Sequence, residues 1–158
     1  MGNYFLQQGI CPGDHVAVSC GNRGEHLEVI FALAKIGVIA VPFDYHWSRQ
    51  ESDAMLKFFA PKAFVIEERQ ETTDTADLVL DRLGAKRVLF IGETLTPQAK
   101  PYEEAISTAS PGNNGIEVDG KQPFIIMITS GTTGFPKGCA LTMRLMRCGL
   151  STTPLARD

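Results

Sequence analysis

Nothing in this 158-residue sequence approaches the run of about eighteen apolar residues that a membrane-crossing helix needs. The N-terminus also lacks the basic-then-apolar layout of a secretory signal. Met1-Gly2 opens like a myristoylation site, but Leu6 stands where that motif needs serine or threonine. These absences leave a cytoplasmic address, with no membrane partner, as the expectation. Positive charge is scarce too: fifteen Lys and Arg face eighteen Asp and Glu, for a net charge of −3. That balance argues against nucleic acid as a main partner, and the late basic residues Lys137, Arg144, Arg147 and Arg157 are too scattered for such a footprint. Cysteine is limited to Cys11, Cys20, Cys139 and Cys148, with no C-x-x-C pair and without His15, His26 or His46 at ligand spacing. Free buried thiols are expected, and no metal site. No internal repeat of solenoid period is present.

What is there is ordinary globular material, 44% hydrophobic and 21% charged. It suffices for one domain or part of one, burying roughly 68–70% of its unfolded surface. Chemistry concentrates near the C-terminal end. Ile125-Ile126-Met127-Ile128 reads as a buried strand, and Thr129-Ser130-Gly131-Thr132-Thr133-Gly134-Phe135-Pro136-Lys137-Gly138 follows it. Glycines let backbone N–H groups approach an anion, the hydroxyls of Ser130, Thr132 and Thr133 add donors, and Lys137 adds a mobile positive charge. Such a loop suits the polyphosphate of a nucleotide. It is not a Walker loop, because Pro136 precedes Lys137 and Gly138 follows it. A plain Gly/Thr-rich turn is the competing reading, and the full string argues against it.

The string Thr129–Gly138 closely resembles the signature loop of the AMP-forming adenylate enzymes, which include acyl-CoA synthetases, peptide-synthetase adenylation domains and firefly luciferase. Upstream, Gly13-Asp14-His15-Val16-Ala17-Val18 and Ala32-Leu33-Ala34-Lys35-Ile36-Gly37-Val38-Ile39-Ala40-Val41-Pro42 resemble that family's early strand–helix–strand segment. The likeness runs from about Gly9 to Thr142. Two positions depart from it: Ile128, where an aromatic residue is usual, and Met143, where a histidine usually follows the Ser/Thr equivalent to Thr142.

The resemblance implies an enzyme that activates a carboxylic acid with ATP as an acyl-adenylate and passes the acyl group to a thiol, usually coenzyme A. Thr129, Ser130, Gly131, Thr132, Thr133, Gly134 and Lys137 would then hold the β- and γ-phosphates of ATP, with Mg²⁺ carried on them. The family's downstream aromatic-Gly-x-Thr-Glu motif, ribose aspartate and C-terminal lysine have no counterpart in these residues. Residues 1–158 are therefore expected to be part of the large N-terminal domain, truncated at both ends and inactive alone, with a missing C-terminal part or a partner chain completing the site. The alternatives are a non-catalytic nucleotide-binding or interaction module and a fragment of a peptide-synthetase adenylation domain.

Along the chain, residues 1–12 read as the tail of a helix closed by Gly9 and Pro12, and Asp14–Cys20 as a buried strand. Asn22 and Glu25 form a capping-box pattern ahead of a helix whose apolar face is Leu27, Ile30, Phe31 and Ala34, with Gly37 closing it. Val38–Val41 is a strand. Phe43-Asp44-Tyr45-His46-Trp47 is an aromatic connection, read as covering a sheet end or meeting a missing neighbour in preference to facing a ligand. Ser48 and Glu51 cap a second helix with Ala54, Met55, Phe58 and Phe59 as its apolar face, and Ala63–Ile66 is a strand. The acids Glu67, Glu68, Glu71, Asp74, Asp77 and Asp81 read as the wet face of a helix and not as catalytic carboxylates. Lys86–Ile91 is a further strand, Tyr102–Ile106 a short helix, and Ser110–Gly115 a loop. Strands alternating with helices predict an α/β fold, a largely parallel sheet with helices on both faces.

Overall fold

The computed structural model describes residues 1–92, 100–129 and 137–146. The elements run α1 (Gly2–Gln7), β1 (His15–Ser19), α2 (Gly24–Lys35), β2 (Ile39–Pro42), α3 (Arg49–Phe59), β3 (Ala63–Glu67), α4 (Thr73–Leu83), β4 (Val88–Ile91), β5 (Lys100–Pro101), α5 (Tyr102–Thr108), β6 (Pro123–Thr129) and β7 (Lys137–Thr142). The strands form one sheet in the order β5-β4-β3-β1-β2-β6-β7. Every neighbouring pair is parallel except β6 with β7, which pair antiparallel.

Alternation along each strand sends side chains to two apolar layers. Val16, Val18, Val65, Leu89 and Ile91 face a layer shared with Phe5, Leu33 and Tyr102, which lie on α1, α2 and α5. Ala17, Val41, Phe64, Ile66 and Phe90 face the other layer, with Met55 and Phe59 of α3 and Val79 of α4. Helices thus cover both faces, as the pattern predicts. Both strands beside β1, namely β2 and β3, run into helices on the face opposite α2. Crevices therefore open on either side of β1 at its carboxyl end, where open α/β sheets place their sites.

Several local expectations are corrected, among them that of buried thiols: Cys20 is buried, but Cys11 and Cys139 are exposed. Arg23, not Asn22, occupies the N-cap of α2, without a side-chain capping bond; Glu25 instead holds the Arg23 guanidinium. The buried residues of α2 are Val29, Leu33 and Ala34, while Leu27 (59% exposed) and Phe31 (54%) face outward. This helix is apolar on two sides, so spacing alone could not pick the stripe facing the sheet. On α3, Leu56 is buried and Phe58 exposed, because the sheet takes positions 52, 55, 56 and 59.

Other local signals hold. Gly37 adopts φ 71°, and the bonds from Gly37 N to Ala34 O and from Val38 N to Leu33 O close the end of α2. The Ser48–Glu51 capping box is present. Asp74, Asp77 and Asp81 lie exposed on or beside the wet side of α4, but Glu67 ends β3 and is largely covered. The strand preceding the Gly/Thr-rich loop is buried only at Phe124 and Ile125; Met127 is 43% exposed, since the layers thin out toward this edge of the sheet.

Candidate functional site

β6 and β7 form the arms of a hairpin, with Thr129 and Lys137 as partners at its loop end. Thr129 Oγ1 donates to the Lys137 carbonyl at 3.3 Å. Because β6 runs parallel to β2, Thr129 lies at the same edge as the carboxyl ends of the other parallel strands. Of the residues predicted to hold phosphate, Thr129 and Lys137 are thereby brought together. Ser130, Gly131, Thr132, Thr133 and Gly134 lie outside the described residues. Lys137 is exposed and has no acidic partner among the described residues. Next to it, Gly138 fits because a Cβ there would come within 2.8 Å of Ile126 Cγ2 and 3.4 Å of the Phe59 ring.

A cavity of about 460 Å³ adjoins Thr129, lined by Pro42, Phe43, Asp44, Trp47, Met127 and Ile128 among others. The aromatic connection after β2 forms one wall. Phe43 is buried, edge-on to both Phe64 and Trp47 at 5.2 and 5.3 Å, so it does cover the sheet end as the sequence suggests. Trp47 instead lines the cavity. Trp47 N donates to Asp44 O, and Asp44 Oδ1 accepts from His46 N at 2.9 Å, closing residues 44–47 into a tight turn. Glu51, at the cavity rim, is committed to the α3 cap, and its bonds from Ser48 hold its carboxyl below the usual range.

A polar cluster that sequence reasoning missed lies between β1 and β3. Glu67 Oε2 accepts from Gly21 N at 2.8 Å, and Arg23 Nη1 donates to Glu67 Oε1 at 3.1 Å. Arg69 Nη1 reaches Glu67 Oε2 at 3.5 Å, and its guanidinium lies 4.7 Å from the centroid of the Tyr45 ring. The bonds from Arg23 to Glu25 lower the Glu25 pKa. Burial, reinforced by the Glu67 charge, pushes the Cys20 thiol up to about 12. Only the alternation of Glu67, Arg69 and Glu71 in sequence hints at this cluster, and it is indistinguishable there from a solvated charge run.

Met143 packs partly buried against the α1/α2/α5 layer. Just before it, Thr142 Oγ1 accepts from Leu145 N at 3.2 Å. Among the described residues no three His, Cys, Asp or Glu side chains are grouped to hold a metal, and no helix is long and apolar enough to cross a membrane.

Over residues 1–155 the sequence matches the family described as AMP-binding enzyme. YdaB of Bacillus subtilis, provisionally named an acyl-CoA ligase, is 31% identical over 142 residues, which cover 90% of this chain and 28% of that relative. The long-chain-fatty-acid–CoA ligase FadD13 of Mycobacterium tuberculosis is 30% identical over 142 residues, covering 85% and 25%. A crystal structure from Rhodopseudomonas palustris, provisionally named a long-chain-fatty-acid CoA ligase, matches with a TM-score of 0.79 and 28% identity, covering 95% of this chain and 37% of that one. The chain thus spans less than a third of the length of these curated relatives.

Proposed function

Since this chain belongs to the AMP-binding enzyme family, we propose that it supplies the ATP phosphate-binding hairpin of a ligase that activates a carboxylic acid as an acyl-adenylate and passes it to coenzyme A or another carrier thiol. The observation that carries this reading is the Thr129–Lys137 closing pair at the carboxyl edge of the sheet beside a cavity, with a lysine that has no acidic partner among the described residues. In this proposal Lys137 and the hydroxyls and backbone of Ser130–Gly134 stabilise charge on the leaving pyrophosphate. Mg²⁺ would ride on the nucleotide phosphates and neutralise part of their charge. The names of the relatives support the acyl-CoA ligase class over a peptide-synthetase fragment.

We extend the proposal to the division of labour. With 25–28% of the relatives' length covered, the groups that hold adenine, ribose and the acyl chain are assigned to residues beyond these 158, in a further segment or a partner chain. The chain alone then binds nucleotide and does not turn over. A second reading, binding without adenylation, is favoured by Met143, whose side chain joins an apolar layer where the family's histidine is usual.

Calorimetry with Mg²⁺-ATP tests the site. A charge-assisted hydrogen bond contributes about 1.5–3 kcal/mol, so Lys137→Ala should weaken binding by about tenfold to a hundredfold. Equal binding by the variant would refute the role of Lys137. Carboxylate-dependent exchange of pyrophosphate into ATP by the completed protein separates the first reading from the second, which requires none.

A further inference from the structure

We propose that Glu67 and Arg69 are positioning residues for the nucleotide site: through Tyr45 they hold the turn at residues 44–47, and hence the Trp47 wall of the cavity beside Thr129. This rests on the function proposed above, though its first test does not.

Among the described residues, no backbone hydrogen bond joins the three connections that leave the carboxyl ends of β1, β2 and β3. The Glu67 side chain does so. Its carboxylate, 14% exposed, takes the Gly21 N–H after β1 and both arginines. Arg69 then reaches over Tyr45 in the connection after β2. The backbone under Arg69 is fixed: the buried Thr72 hydroxyl donates to Glu67 O at 2.7 Å and accepts from Arg69 N at 3.0 Å. The fit is close on the β1 side as well, since a Cβ on Gly21 would lie 2.7 Å from Arg69 Nη1. That glycine lets the guanidinium sit between the Gly21 backbone and the Tyr45 ring.

The two arginines are not equivalent. Arg23 keeps its paired bonds to Glu25 if Glu67 loses its charge. Arg69 keeps, among the described ion pairs, Glu71 at 3.9 Å, which is more than half exposed. Neutralising Glu67 therefore frees Arg69 in particular, and with it the cation over Tyr45. Tyr45 and His46 form the tip of the turn whose other end is Trp47, so a released tip loosens the cavity wall.

Trp47 is the only tryptophan in the chain, so its fluorescence reports this wall directly. Acrylamide quenching without nucleotide tests the clasp alone. Gly21→Ala, which displaces only the tip of a flexible side chain, and Glu67→Gln should each raise quenching about two- to fivefold, the range a lost cation–π contact implies. Tyr45→Leu should do the same with Glu67 and Arg69 still paired, and Arg69→Lys should stay near the wild type. Titration with Mg²⁺-ATP should then show severalfold weaker binding in the first three variants, and in Gly21→Ala and Tyr45→Leu at an unchanged urea midpoint. Wild-type quenching in Gly21→Ala and Tyr45→Leu would overturn the inference, as would weaker nucleotide binding only in proportion to a lowered midpoint. Increased quenching with no nucleotide binding by the wild type would leave the clasp standing and refute the proposed function.

Discussion

Replacing Gly138 by alanine probes the packing that carries Lys137. The new methyl would sit 2.8 Å from Ile126 Cγ2, closer than carbon atoms tolerate, with the Phe59 ring 3.4 Å away. Ile126 is β-branched and held in its rotamer, so it cannot swing clear, and Phe59 is buried on α3. Overpacking of this kind costs about 1–3 kcal/mol, offset by about 0.4–1 kcal/mol because alanine has less unfolded-state freedom than glycine. The net expectation is a loss of about 0.5–2 kcal/mol. Urea unfolding followed by Trp47 fluorescence would show it as a midpoint lowered by about 0.3–1 M, with the slope unchanged. Cys139→Ala, one residue on and exposed, is the control and should stay within about 0.5 kcal/mol. A Gly138→Ala midpoint equal to or above the wild type would refute the argument that Ile126 and Phe59 require a glycine here.

Two further outcomes are expected. Ser48→Ala removes the hydroxyl that accepts from Glu51 N at the start of α3 and should cost about 1 kcal/mol in urea unfolding, whereas Asn22→Ala should be silent because Asn22 caps nothing. Cys20 should make the fold alkali-sensitive: its thiol ionises near 9 when unfolded but is held up to about 12 when folded. Between those values the unfolded state binds fewer protons, so stability falls as pH rises, by about 1.4 kcal/mol at pH 10. Tyr4 and Tyr102, also raised chiefly by burial, push the same way. Cys20→Ala should flatten the slope between pH 8 and 10, and equal slopes in both proteins would contradict the assignment.

The parallel architecture is legible because its signals are local and agree: β-branched runs at residues 15–19, 39–42 and 63–67, a capping box at Ser48 and a helix-closing glycine at 37. What failed depended on what packs where. Leu27 and Phe31 share helical spacing with truly buried residues, and only the position of the sheet decides which side of α2 is covered. β7 escaped notice because Lys137-Gly138-Cys139-Ala140 lacks a strand-like pattern; it is a strand by pairing with β6. For the candidate site, Thr129 and Lys137 were found together, and the remaining loop residues lie outside the described ones. The Glu67 cluster was invisible since its partners Gly21, Arg23 and Arg69 meet only when β1 and β3 become neighbours.

That the phosphate loop is proposed on a hairpin has an energetic consequence. In a strand–loop–helix cradle the anion draws on the helix macrodipole and the free N–H groups of its first turn. Here Lys137 opens a β-strand that folds back on β6, so the first described residues after the loop are a strand and not a helix start that could supply that field. In the proposed site, binding would rest on hydroxyls, loop N–H groups and the exposed Lys137, whose charge is screened over about 8 Å at physiological salt. Such a site gains strength when water is excluded around it, because the same charges act in a lower dielectric. Among the described residues, the cavity wall formed by Phe43 and Trp47 is placed to exclude water beside Thr129. A turn clasped firmly by Arg69 and Glu67 therefore matters more to nucleotide affinity here than it would beside a helix terminus.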